Sequence, residues 1–260
     1  MNDKRVQCHI PYPILIERFD EVCEAALNPE VYIDAESLAL IESGINSLSL
    51  GEISETLRAK GLRSTIHGPF MDMSPGGVDE GVRELTQDQF SRLIESTKEL
   101  RPEAIVLHGG YDERYYDGDS ALWLAQSLKT WRPLAGEAES AGTVLAIENI
   151  FEERPGTLKE LVEAIDSPSL RICLDIGHIN LYSAVEMKDW FATLGPYIAE
   201  LHIHDNLGVV DDHLPIGEGT IDFPLFFSLV RGLTNKPIYT IEPHGEGVLK
   251  RALEAVGAYL

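Results

Sequence analysis

Short β-branched apolar runs alternate with amphipathic stretches from end to end of the chain, and no Pro/Gly/Ser-rich linker interrupts the alternation. The runs predict strands at residues 6–10, 30–33, 64–67, 104–108, 143–149, 171–175, 198–204 and 237–242; residues 46–50 compete with the second. Helical periodicity fills the gaps. Residues 14–27 place Leu15, Phe19, Val22 and Ala26 on one stripe that stops at Asn28-Pro29, residues 87–100 and 122–141 repeat the pattern, and residues 250–260 form the last helix. Strands alternating with helices indicate a parallel sheet with helical crossovers. From the third strand to the eighth, the strand ends His67, His108, Glu148, Asp175, His202 and Glu242 are 41, 40, 27, 27 and 40 residues apart, near one eighth of the 260-residue chain. The expected fold is therefore α/β, a (β/α)₈ TIM barrel in one domain, residues 1–260. An open doubly wound sheet fits less well, because the first βα turn has no Gly-rich phosphate loop.

Composition narrows the function. Hydrophobic residues make up 44% of the chain, enough for a large core, while 21 Lys and Arg face 43 Asp and Glu for a net charge of −22. That balance argues against nucleic acid, whose binding depends on cations neutralising phosphates, and against docking on an anionic membrane. Cys8, Cys23 and Cys173 are odd in number and lack C-x-x-C spacing, so reduced thiols in a cytoplasmic protein are expected rather than a disulfide framework. Residues 1–20 lack a long apolar stretch followed by small residues and no run of 18 apolar residues occurs, so neither a signal peptide nor a membrane span is expected.

The histidines carry the chemistry. His67, His108 and His202 end or nearly end predicted strands, and His178, His204 and His213 lie within a few residues of one. Carboxylates hold the matching places in other strands: Glu148 in AIEN, Asp175 in CLDIGH, Glu242 in TIEP. In a parallel barrel the C-terminal strand ends converge on one face, so these residues share a centre. A single histidine in an apolar strand is more often a core or rim residue than a ligand. A carboxylate directly after Val-Leu-Ala-Ile or Ile-Cys-Leu, however, is costly to bury without a cation partner. Imidazole and carboxylate together suit Zn²⁺ or Mn²⁺, with Co²⁺ or Fe²⁺ also accommodated. His202 and His204 are two apart and face the same side, so one is expected to ligate and the other to support it or line the rim. Asp211 and His213 can chelate from the following loop, with Asp212 orienting them. His9 and His244 have weaker cases, as a floor residue and a turn residue.

These segments, STIHGPF, IVLHGG, LAIENIFEE, ICLDIGH, LHIHDNLGVVDDHLPIGEGTID and YTIEP, span most of the chain. The sequence resembles the xylose-isomerase-like TIM barrels, the superfamily that joins sugar and sugar-phosphate isomerases and epimerases with endonuclease IV. In the isomerase branch the resemblance implies one divalent metal held by Glu148, Asp175, His202 and Glu242. In the endonuclease IV branch it implies three zinc ions on nine ligands, with His67, His108, His178, Asp211 and His213 added to those four. The metal content expected is therefore one to three ions per chain.

In the isomerase reading the metal polarises a carbonyl and its neighbouring hydroxyl, Glu148 and Glu242 move the proton through an enediolate, and His178 orients substrate or relays the proton. His67, His108, Phe70, Phe151, His204, Arg114 and Arg154 are the expected substrate contacts, and Met71 a pocket wall. In the phosphodiesterase reading Glu148 bridges two metals and a metal-bound hydroxide attacks phosphorus. Charge placement separates the two. The site-facing loops 67–82, 108–120, 148–156, 175–187 and 202–222 hold only Arg114 and Arg154 as basic residues among many acids, so a phosphate chain meets repulsion on approach. A neutral sugar or polyol fits better, and the isomerase or epimerase ranks first. An endonuclease IV-like enzyme is the alternative, and a non-catalytic ligand-binding barrel the third.

Overall fold

The computed structural model describes residues 6–45, 47–243 and 245–259; His244 and Asn46 lie outside them. Eight parallel strands close into a barrel in chain order: β1 (Val6–Pro11), β2 (Asn28–Tyr32), β3 (Thr65–His67), β4 (Ala104–His108), β5 (Val144–Glu148), β6 (Leu170–Asp175), β7 (Ile198–Ile203) and β8 (Ile238–Ile241), with β8 pairing back onto β1.

The period of two along each strand divides the protein. One set of side chains, including Ile66, Leu107, Ile147, Leu174, Leu201 and Ile241, joins the large hydrophobic cluster with the helices. The alternate set points into the barrel and is small or polar. Ala104, Val106, Ala146 and Cys173 form their own small cluster there. Beside them Gln7 Nε2 donates to Thr65 Oγ1 (2.5 Å), Glu200 Oε1 (2.6 Å) and Thr240 Oγ1 (2.8 Å), a polar plug linking β1, β3, β7 and β8. Continuing in the same alternation, the next inward positions towards the C-terminal ends are His67, His108, Glu148, Asp175, His202 and Glu242. The barrel interior thus leads into the candidate site without an apolar layer above the plug.

The structure changes several predicted boundaries. The single helix expected over residues 14–27 is two, Tyr12–Glu17 and Phe19–Glu24, broken at Arg18; the two turns bury Tyr12 and Leu15 separately from Phe19, Val22 and Cys23. The helix expected from residue 87 begins earlier, Glu80–Thr97, because Asp79 caps it by accepting from Val82 N. Residues 47–50 do not form the competing strand, since Ser49 and Glu52 make a capping box for the helix Leu50–Ala59. Asn149 leaves β5 yet continues its work: the side chain donates to Asp175 O and accepts from Asp175 N, bracketing β6 as a further rung would.

Asp175 ends β6 and caps the helix Ile176–Tyr182, Oδ1 accepting from His178 N at 2.7 Å. The next turn is tight. A Cβ at Gly177 would lie 1.9 Å from Cε1 of the buried His204. Gly177→Ala is expected to cost about 1–3 kcal/mol through overpacking. A denaturant midpoint equal to that of the wild type would show that the His204 ring can yield.

Candidate metal centre

Glu148 is the hub. Its Oε2 lies 3.2 Å from His67 Nε2 and 3.1 Å from His108 Nε2, and its Oε1 lies 3.1 Å from His202 Nδ1. His202 Nδ1 is also 3.3 Å from Glu242 Oε1 and 3.8 Å from Asp175 Oδ2. A third group forms on the other side, where His178 Nε2 and His213 Nε2 stand 3.3 and 3.1 Å from Asp211 Oδ2. All nine positions that the resemblance implies as ligands are therefore in one connected cluster. Two groups, His67 with His108 and Glu148, and Glu148 with Asp175, His202 and Glu242, each present donor atoms within 4.8 Å of one another.

Local structure aims the rings. His67, His178 and His213 pin Nδ1 against the carbonyl oxygens of Gly68, Asn149 and Glu242 at 2.9, 2.9 and 3.0 Å, leaving Nε2 for the cluster. His204 is buried, 3.1 Å from Asp175 Oδ2 through Nε2 and stacked on His213 with ring centroids 3.9 Å apart. It does not line the cavity; its Nδ1 stands 3.7 Å from Asp211 Oδ1, and it joins two further donor groups, one with Asp175 and His178 and one with His213 and Glu242.

Electrostatics follow from burial and proximity. Burial alone would raise Glu148, but the His202 charge and the bonds from His108, His202 and His67 hold it well below the ordinary carboxylate range. Burial would lower His67, yet Glu148 and Glu30 raise it to about 9. Against the same burial, the charge of Asp175 and the bond to Asp211 raise His178 to about 10, and Asp211 and Glu242 raise His213 to about 9. His108 goes the other way, because burial outweighs its bond to Glu148. Burial pushes Glu152, which accepts from Ile150 N, up to about 7.

Above the cluster opens a cavity of about 860 Å³. His67, His108, Glu148, His178, Asp211, His213 and Glu242 face it, with Phe70, Met71, Phe151, Tyr32 and Tyr182 as walls. His9 lines it, 2.8 Å from Glu30 Oε1. Arg114 and Arg154 do not line it. Arg114 is 78% exposed and bound to Asp112 at 2.8 Å, with its guanidinium 5.8 Å over the ring of Phe151, a wall of the cavity; Arg154 is exposed.

Sequence reasoning missed Glu30. It is fully buried in β2, with Oε2 3.1 Å from His202 Nε2. Its signal was a charge at the head of the run Glu-Val-Tyr-Ile, on the same face as the cavity-lining Tyr32.

An α/β barrel closed by eight parallel strands, with imidazoles and carboxylates gathered at the C-terminal strand ends, defines the class of protein. The chain belongs to the xylose isomerase-like TIM barrel family, whose model matches residues 30–258. An uncharacterized protein of Methanocaldococcus jannaschii is 35% identical over 165 residues, 61% of this chain and 56% of that protein. A putative L-ribulose-5-phosphate 3-epimerase of Escherichia coli is 27% identical, covering 70% of this chain and 66% of its own. The matches thus span less than two thirds of either relative's length. Among solved structures, a D-tagatose 3-epimerase-like protein superposes with a TM-score of 0.81 at 25% identity, over 97% of this chain and 96% of its own. No helix among the described residues is long and apolar enough to cross a membrane.

The residues fit a divalent cation. The donors are imidazole nitrogens and carboxylate oxygens, and the buried Asp211 Oδ1 and His204 Nδ1 have no hydrogen-bond partner. The pH dependence has a definite sign. Protonated His67, His178 and His213 stabilise the metal-free fold fully below the ordinary value of 6.5, and that contribution is lost as pH rises through 9 to 10. The same protons must leave before the rings ligate, so cation affinity rises over this window. Calorimetric titration with Zn²⁺ in buffers of different ionisation enthalpy is expected to show proton release and tighter binding at pH 8 than at pH 6. Binding without proton release would mean that these histidines are not ligands.

Proposed function

We propose that the protein is a divalent-metal-dependent isomerase or epimerase of a sugar or polyol. The observation that carries this reading is the convergence of Glu148 and Glu242 on one His202 nitrogen, at 3.1 and 3.3 Å, while both carboxylates border the cavity. Glu148, Asp175, His202 and Glu242 would hold the cation. When bound there, it supplies Lewis-acid polarisation of a substrate carbonyl. Glu148 and Glu242 approach from different strands, so one is placed to take a proton from a substrate carbon and the other to return it. His178, fixed through Nδ1 to Asn149 O, presents Nε2 towards Asp211 and the cavity, where it orients a substrate hydroxyl. Phe70 and Phe151 offer flat apolar faces to the C–H side of a sugar ring.

The names of the Escherichia coli and D-tagatose 3-epimerase-like proteins support a sugar substrate. An uncharged sugar suits this chain better than a sugar phosphate, since Arg114 and Arg154 stand outside the cavity lining. Zn²⁺ or Mn²⁺ is the proposed ion, with Co²⁺ or Fe²⁺ as substitutes.

One observation favours a second reading, an endonuclease IV-like phosphodiesterase. The His178–Asp211–His213 and His67–His108–Glu148 groups extend the donor set beyond what one cation uses. Elemental analysis giving three metals per chain, together with hydrolysis of a simple aryl phosphodiester, would establish it in place of the first.

For the isomerase reading, Glu148→Gln and Glu242→Gln are each expected to slow exchange of a ketohexose or polyol-derived ketone C–H with solvent deuterium by about 10²–10⁴-fold. Ligand binding should persist. Exchange at the wild-type rate in both variants would remove these carboxylates from proton transfer, and a wild type that binds sugar with no exchange would make the barrel a binding protein.

A further inference from the structure

We infer that Glu30 is the positioning residue of this site: it holds the His202 ring with Nδ1 turned into the carboxylate cluster and so sets how tightly the cluster retains a cation. The inference rests on the metal-dependent reading above.

The orientation of His202 is the starting point. His67, His178 and His213 each give Nδ1 to a backbone carbonyl and aim Nε2 at the cluster. His202 is reversed. Its Nε2 faces Glu30 Oε2 at 3.1 Å, and its Nδ1 faces Glu148 Oε1 and Glu242 Oε1. Glu30 brings this about from β2, across the barrel interior from β7 and 172 residues away in sequence, with both partners fully buried. A carboxylate only accepts, so Nε2 donates to Glu30 in either charge state of the ring. In the metal-free protein Nδ1 meets the two carboxylate oxygens through a proton of its own, and a cation that displaces this proton finds the Nδ1 lone pair in a ring whose Nε2–H stays fixed on Glu30. Glu30 therefore selects the ring form that ligates.

The partner's identity matters as well as its place. A carboxylate behind an imidazole raises the ring's basicity more than a neutral carbonyl does. The second oxygen, Oε1, is not idle: it lies 2.8 Å from His9 Nδ1, and His9 Nδ1 is 3.5 Å from Glu242 Oε1. Glu30 is thus braced between two rings, one in the cluster and one at the edge of the cavity, and it cannot swing without moving both. A carboxylate buried only for packing would need satisfied oxygens but would leave metal affinity and the ligand field untouched.

The test is a titration of Co²⁺ into the full-length metal-free protein, read by Co²⁺ visible absorption, with Zn²⁺ affinity obtained by competition against a chromophoric chelator. Glu30→Gln keeps the shape and removes the charge; Glu30→Asp keeps the charge and withdraws it by one methylene. Each is expected to weaken the site containing His202 by about 10–100-fold and to shift the Co²⁺ band, with the near-UV circular dichroism of the metal-free protein unchanged. Should the Gln variant fail to fold, the Asp variant decides. Wild-type affinity and an unshifted band in the folded variant would overturn the role of Glu30 while leaving the metal reading intact. A wild-type protein that takes up neither ion would overturn both.

Discussion

The buried carboxylate of Glu148 is the constraint on which the mouth of the barrel depends. Removed from water at the end of β5, it would be prohibitively costly as an isolated charge. Three imidazoles from β3, β4 and β7 meet it within 3.2 Å. Their positions in turn dictate which strand ends must be level, and the barrel register supplies that: His108 pairs with Glu148, and Asp175 with His202. The apolar surface outside the strands provides the stability that lets such a concentration of charge exist at one end.

Below that cluster the interior remains polar, and this too has a cause. Gln7, Thr65 and Thr240 satisfy one oxygen of Glu200, and burial together with the nearby Glu30 charge pushes the Glu200 carboxyl up to about 8, so that it holds its proton at neutral pH. A second ionised carboxylate beside Glu30 would add repulsion where no water can screen it. The plug therefore ends the charged region in hydrogen bonds among neutral groups, and Val106, Ala146 and Cys173 fill the rest of the interior.

How much of this could be read from the sequence depends on whether a residue's role is local. Strand ends are legible because a polar residue closing a short apolar run is a local anomaly, as at His108, Glu148, Asp175 and Glu242. The barrel followed from their spacing. The break at Arg18 was not legible, because the apolar stripe continues through it and only packing against the barrel separates the two turns. Glu30 was not singled out for a related reason: at the boundary of a predicted strand a charge reads as a solvated end, and its partner on β7 is decided by closure of the sheet. Arg114 shows another dependence: loop position puts it near the rim, but the direction of its side chain is set by its neighbour Asp112.

The net charge of −22 acquires a structure of its own once the acids are placed. Some serve the helices: Asp34, Asp79, Asp119, Asp175 and Asp222 each accept a hydrogen bond from the first turn, where a negative charge also complements the helix dipole. Others form the cluster. Asp175 belongs to both groups, capping with Oδ1 while Oδ2 faces His204 and His202. Capping fixes the carboxylate before any ligand arrives, so a cation would meet preformed donors and would not have to pay for ordering them. The remaining acids on the site-facing loops outnumber the two arginines there, Arg114 and Arg154. The same residues that make the centre ready for a positive ion thus make its surroundings unwelcoming to a polyanion, and the proposed preference for a neutral sugar would come from charge placement before any specific contact is made.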